Sequence, residues 1–381
     1  MNIGCDVHKD FHIFCDMDEK GEIIGEGRIE NNTLAIDKFA RGHKGSKIAM
    51  EASSHSIPVY RQLVKHGFEV HMAHPGDLHK ITKSKRKTDE HDAYDLAQLL
   101  RTGYLPESWV PDEEIQSLRS LTGRRVELGR RFSKVKNRIH SILAITGVKE
   151  PKYSDLFGRM GVHFLEHLNL SEDFDMVLRS LLRELAYLKE EIEILESRLA
   201  LIATDGRFKK EVEQLMGIRG IGFYSALTIL AWIGDVNRFP SHKKLSSWAG
   251  LVSSVRITGN TEIHGHITKA GPKELRWILV EDAETAVKYP GKLRRFYLKK
   301  KRRLGHKKAI VATAHKLLII IYHMLKEDKP YEERDDDLAN RKLRRMEQKG
   351  NRSNKRSDKL GTLEGKGKEI FIKEVSIVDA G

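Results

Sequence analysis

Cysteine is nearly absent from this chain of 381 residues: there are two, Cys5 and Cys15, both close to the start. Two early cysteines in a long basic chain do not make a disulfide framework. They are expected as small apolar core residues on neighbouring strands, in a protein of a reducing, cytoplasmic compartment. Long apolar runs are missing too. No stretch of about 18 apolar residues occurs, so no membrane span is expected, and the apolar stretch near the end, Leu317–Ile321, is only a few residues. The opening Met1-Asn2-Ile3-Gly4 lacks the basic-then-apolar pattern of a signal peptide. No solenoid-type repeat is present. The glycine-rich segment Gly217–Gly222 lacks the Lys-Ser/Thr ending of a P-loop, which excludes that kind of nucleotide site.

Negative charge is in deficit. Against 54 Asp and Glu stand 68 Lys and Arg, for a net charge of +14 and a pI near 9.5. Such a surplus calls for a polyanionic partner, nucleic acid before an anionic membrane surface. With 39% hydrophobic and 32% charged residues the chain reads as globular, and its length suits two to three domains at roughly 100–200 residues each.

Residues 2–7 and 11–17 read as strands joined by a polar corner at His8–Asp10, and 21–30 as a third strand. Asn32-Thr33 caps a helix over 34–42. A strand at Lys47–Met50 ends at Glu51, a helix follows over 57–66, a strand over Phe68–Met72, and a helix over 89–101. Three antiparallel strands followed by βα units predict a mixed sheet with helices on its faces. This is the strand order of RNase H-like nucleases, and actin-like ATPases begin in the same way. Pro106 and Pro111 then punctuate a linker. Residues 113–146 and 172–203 are long helical patterns, and the second carries Leu178, Leu181, Leu185, Leu188, Ile192, Leu195, Leu199 and Ile202 at the alternating three- and four-residue steps of a coiled coil. The fold class is thus α/β plus α. The expected domains are a nuclease domain over 1–110, a helical coiled-coil spacer over 111–205, a mostly helical domain over 206–330, and a charged, flexible tail over 331–381 in which Ile370–Val378 has the pattern of a short strand.

Four carboxylates stand out by position. Asp6 ends the first strand, Glu51 ends the fourth, and Asp89 and Asp92 lie three apart at a helix start, on one face. In this topology strands one and four are neighbours and the last helix packs beside them, so the acids converge. Clustered carboxylates repel one another and need cations. Oxygen ligands suit Mg²⁺ or Mn²⁺, and two such ions about 3.5–4 Å apart stabilise both oxygens of a phosphodiester displacement. His8 and His91 lie within reach but are expected to be structural, and Glu90 and Asp95 to be solvated or supporting. The Gly217–Gly222 segment resembles a helix-hairpin-helix, in which Gly220, Gly222 and the following helix N-terminus hold a phosphate. Basic residues gather along the first long helix, at Arg119, Arg124, Arg125, Arg130, Arg131, Lys134, Lys136 and Arg138. A second group comprises Arg294, Arg295, Lys299, Lys300, Lys301, Arg302, Arg303, Lys307 and Lys308. Both groups, with Lys269, are expected to contact phosphates.

The pieces GCDVHK, AMEASS and KTDEHDAYDLAQLL resemble the N-terminal signatures of the IS110 family of insertion-sequence transposases. MGIRGIG, IGDVNRFPSHKKLSSWAGLV and HGHITKAGPKELRWILVEDA resemble that family's C-terminal transposase domain. The resemblance implies a RuvC-like domain whose Asp-Glu-Asp-Asp tetrad falls on Asp6, Glu51, Asp89 and Asp92. It also implies a nucleophilic serine in the C-terminal domain; Thr258 stands at that position here, with Ser253 and Ser254 as alternatives and a plain turn at Thr258-Gly259 as another reading. The further implications are DNA substrates, a structured guide RNA, and a homo-oligomer, dimer or tetramer, with the active site shared between protomers. The competing readings are a Holliday-junction-resolvase-like nuclease and a non-catalytic nucleic-acid-binding relic. An actin-like kinase is disfavoured, because no second half with Gly-rich phosphate turns is present.

Overall fold

The structure is a computed structural model, and it describes residues 1–82, 88–258 and 261–351. The chain divides into two compact units, Met1–Pro111 and Asp112–Gly381.

The first unit is built on a five-stranded sheet of β1 (Asn2–Val7), β2 (Phe11–Met17), β3 (Ile23–Glu30), β4 (Lys47–Glu51) and β5 (Glu69–Ala73), in the order β3-β2-β1-β4-β5. The hairpin strands β1, β2 and β3 pair antiparallel, and β4 joins β1 and β5 in parallel. Alternation along the parallel strands sorts the side chains. Ile3 and Cys5 of β1 and Ile48 and Met50 of β4 bury themselves with helices α1 (Thr33–Gly42) and α2 (Ser56–Lys65) in one core. The other face takes Ala49, which packs with Leu96 and Leu100 of α4 (Asp89–Thr102). The helix starts follow their caps: the Asn32 side chain accepts from Ala35 N at 2.9 Å and that of Thr88 from His91 N at 3.3 Å. A short helix α3 (Pro75–Ile81), which the residue pattern did not announce, follows β5. Cys5 and Cys15 are free and buried, and burial pushes their thiols up to about 12 and about 11.

In the second unit α5 (Glu113–Ile145) and α7 (Glu172–Asp205) pack against each other, with Leu128, Val135, Ile139 and Leu143 meeting Leu178, Leu185 and Leu188. The regular leucine stripe of α7 is therefore used within the chain. Between the two long helices the short α6 (Arg159–Glu166) contributes Leu165 to the same core. Then come α8 (Lys209–Met216), α9 (Phe223–Ile233), a 3-10 turn at Val236–Arg238, α10 (His242–Trp248), a hairpin of β6 (Ser253–Thr258) and β7 (Thr261–Ile267), α11 (Lys273–Ala286) and α12 (Lys292–Glu327). The region is mostly helical, as expected, and the β6–β7 hairpin is an addition to it that the residue pattern did not announce.

Two further readings change. Helix α12 is long and apolar enough by length and composition to cross a membrane, a property the residue runs alone did not reveal. It is broken at Gly305, whose φ is 75°, and its apolar side, Ile310, Ala314, Leu317, Leu318 and Ile321, is buried in the unit's own core. The supposed flexible tail begins differently: residues 336–351 are helical, with Ala339 and Met346 buried. The strand suggested at Ile370–Val378 lies outside the described residues.

Candidate active site

Gly4 sets the geometry of the first unit. It lies on the β1 face that meets α4, and a Cβ there would stand 1.8 Å from the Ala93 carbonyl oxygen and 2.5 Å from Ala97 N. Only glycine lets the helix backbone come so close to the strand. Asp6 is two residues further along the same face, Asp89 is one turn before Ala93 and Asp92 immediately precedes it, so the close approach carries the head of α4 to the end of β1. Glu51 ends β4 one residue beyond Met50, which pairs with Cys5, and so closes the same edge beside Asp6.

Of these side chains Asp6 and Asp89 meet, through His8, and the group that could hold a metal includes neither Glu51 nor Asp92. His8 Nε2 lies 3.1 Å from Asp6 Oδ2 and 3.1 Å from Asp89 Oδ2. One ligand atom from each of Asp6, His8 and Asp89 falls within 4.8 Å of the others, a group able to hold a metal ion. Burial raises the Asp6 carboxyl above its ordinary range, His8 pulls it back, and the neighbouring Asp89 and Asp92 charges raise it again. Crowded carboxylates of this kind are relieved by a divalent cation, and two hard oxygens with an imidazole nitrogen are a suitable donor set. The residues therefore fit such an ion. His8 was undervalued in the sequence: a histidine after a strand carries no pattern, and only its place between two acids marks it. Asp95, one turn on, is also raised by burial, with His91 opposing and Asp92 adding to it.

The basic groups sort less simply. Arg119 faces inward: its Nε donates to the Ala231 carbonyl at 2.8 Å and an Nη to that of Trp232 at 3.2 Å, with the guanidinium over the Trp232 ring. Burial lowers it to about 10. It caps the end of α9 rather than meeting a phosphate. Arg125 is held by Glu196 at 2.6 and 2.8 Å. Arg124 pairs with the exposed Glu127 on its own helix, and Arg130 lies over Trp277. Arg131, Lys299, Arg302 and Arg303 are exposed, and Lys300 is half-buried over Phe296. Arg294 donates to the Lys288 carbonyl and Arg295 pairs with Glu333. Lys269 adopts a positive φ of 55° where the chain leaves β7, and its amide donates to the Gly250 carbonyl. Gly220 has a φ of 100°, and a Cβ there would stand 2.4 Å from the Asp282 carbonyl, so the loop between α8 and α9 requires glycine. Gly222 caps α9 without a side chain. Thr258 is the last residue of β6, paired with Thr261; Ser253 and Ser254 open that strand, and Gly259 lies outside the described residues.

The strand order of the first unit, with acids at the ends of two adjacent central strands and at the head of the helix across them, is that of an RNase H-like domain. A transposase family model of the DEDD, IS110 type matches residues 3–147, and that of the transposase IS116/IS110/IS902 family matches residues 212–298. Together they cover more than half of the chain, which belongs to the IS110 family of transposases. It is 26% identical to the transposase for insertion sequence element IS1111A of Coxiella burnetii, over 86% of this chain and 90% of the relative. It is 26% identical to a probable family 20 transposase of Pseudomonas aeruginosa, over 75% and 84%. It is also 28% identical to a pilin gene-inverting protein of Moraxella lacunata, over 71% and 77%.

Proposed function

We propose that the protein cuts and rejoins DNA strands to move an insertion sequence, with divalent metal, Mg²⁺ or Mn²⁺, held by Asp6, Glu51, Asp89 and Asp92. The observation that carries this reading is the meeting of Asp6 and Asp89 across His8, inside the field of Asp92. Bound metal would supply charge neutralisation at a phosphodiester and an activated oxygen. The chain's own part is to hold the carboxylates at fixed spacing through the Gly4 contact and to orient two of them through His8. Gene inversion, the act named for the Moraxella relative, requires strands to be rejoined as well as cut. Rejoining suits a covalent step in which Thr258 Oγ1 attacks phosphorus and the displaced DNA oxygen leaves, so that the ester conserves the bond; Ser253 and Ser254 are the alternative nucleophiles. The net charge of +14 serves phosphate contacts through Arg124, Arg130, Arg131, Lys269, Lys299, Lys300, Arg302 and Arg303, with Gly220 and Gly222 at a backbone phosphate. It also serves a structured guide RNA. The working form in this reading is a cytoplasmic homo-oligomer, a dimer or tetramer with the Thr258 hairpin serving a partner's acids.

The test is excision of a donor element with Mg²⁺ or Mn²⁺ supplied, by the single variants Asp6→Asn, Glu51→Gln, Asp89→Asn and Asp92→Asn. Each is expected to stay folded and to lose cleavage. Normal excision by any two of them removes the tetrad, and activity undiminished by chelation removes the metal.

A further inference from the structure

The helix at 336–351 lies beyond the reach of both family matches. It forms one wall of an open cavity of about 420 Å³, whose other walls are the Arg219–Gly222 loop and Thr285 and Tyr289 at the end of α11. The cavity is cationic. Arg219 reaches it from the loop and Arg341 and Arg345, one turn apart, from the helix, while no carboxylate appears among the described residues that line it. Arg219 is already paired with Asp335, which leaves Arg341 and Arg345 as its exposed cations.

Lys342 lies between those two arginines but does different work. Its Nζ donates to the carbonyls of Met216 and Ile218 at 2.8 Å and of Ile221 at 2.7 Å. All three donors of the ammonium are thereby spent on oxygens at the end of α8 and in the loop that would otherwise repel an anion. Burial lowers it to about 8. The same wall carries the start of α9, where Gly222 brings no side-chain cap and the helix dipole is positive.

We propose that this cavity binds one backbone phosphate of a nucleic acid, clamped between the Gly220–Gly222 loop and the Arg341–Arg345 face of the C-terminal helix. The helix is thus part of the nucleic-acid surface, with Lys342 pinning the loop and the two arginines meeting the phosphate. This assignment rests on the nucleic-acid reading above and deepens it.

The test uses the full chain and two fluorescent probes, a random-sequence DNA duplex and a single-stranded RNA of equal length, titrated across a salt series. The variants are Arg341→Gln with Arg345→Gln, and Arg344→Gln, which removes an exposed charge from the same helix away from the cavity. The double variant is expected to bind duplex about tenfold more weakly or worse, as loss of a charge-assisted contact predicts. Its slope of log affinity against log salt should fall by about 0.9 for one phosphate on duplex. Arg344→Gln should do much less, and thermal melts of all variants should coincide with wild type. A loss confined to the RNA probe assigns the phosphate to RNA and still supports the cavity. Equal binding by wild type and double variant, or an equal loss in Arg344→Gln, overturns it. Failure of the wild-type chain to bind either probe would instead overturn the broader nucleic-acid reading.

Discussion

Asp282 offers a perturbation whose size can be worked from the structure. It sits on α11 beneath the Gly220 loop, 3% exposed. Its Oδ1 accepts from Ser225 Oγ at 2.7 Å, and its Oδ2 has no hydrogen-bond partner among the described residues. Burial pushes the carboxyl from 3.8 up to about 8, against the opposing pull of Ser225 and Lys342. At neutral pH the unfolded chain carries this group ionised and the fold carries it protonated, so folding takes up a proton. A raised folded pKa gives stability that is fully present below 3.8 and is lost as the pH rises towards 8. The loss runs at about 1.4 kcal/mol per pH unit. Three units separate the ordinary value from neutrality, so by pH 7 it reaches about 4 kcal/mol as an upper bound. Asp282→Asn keeps the acceptor for Ser225 and does not titrate. It is therefore expected to gain on wild type steadily between pH 4.5 and 7. Lys342 does not interfere there, because its lowered pKa of about 8 gives a slope of the opposite sign that begins only near that value. The assay is urea unfolding followed by tryptophan fluorescence, since Trp232, Trp248 and Trp277 all belong to the second unit. A difference between variant and wild type that stays flat across this window would refute the buried, protonated carboxyl.

Gly4→Ala is expected to destabilise the first unit by about 3 kcal/mol or more, because the new methyl meets helix backbone that has no side chain to swing aside. Gly42→Ala, with nothing within 4 Å of the added carbon, should leave the melt unchanged, and equal melts for the two variants would remove the close-approach argument. Thr258→Ser is expected to retain or raise recombination, whereas Thr258→Val should abolish any protein–DNA adduct on a denaturing gel. An adduct that persists in Thr258→Val but vanishes in Ser253→Ala or Ser254→Ala moves the nucleophile to that serine.

The sheet of the first unit was legible because its strands are bounded by polar corners, and the meeting of Asp6 with Asp89 because they stand at a strand end and a helix start that the chain topology places side by side. The β6–β7 hairpin was not legible. Every residue of β6 is exposed, so Ser253–Thr258 shows none of the alternation a half-buried strand would display. The helix at 336–351 escaped for a related reason. Ala339 and Met346 are buried in a stretch otherwise rich in charge, too sparse a stripe to outweigh the composition. Its anchorage comes instead from Lys342 on three carbonyls and from Lys349 on Glu196, contacts with partners more than a hundred residues away.

The basic run on α5 shows where charge counting stops and periodicity has to take over. Arg119, Arg124, Arg125 and Arg131 look alike as a list. Arg119 follows the buried Leu118 and stands one turn before the buried Thr122, and Arg125 precedes the buried Val126. Residues bordering the buried stripe point along the helix surface into the neighbouring helices, and there the long arginine stem can lie on apolar rings while the guanidinium finds carbonyls or a carboxylate. Both do so, Arg119 over Trp232 and Arg125 over Tyr224. Arg124 and Arg131 are exposed, and Arg124 forms its ion pair with Glu127 of its own helix. A heptad assignment made before the charges were counted would have separated the two kinds and left a shorter, outward-facing set for the phosphates.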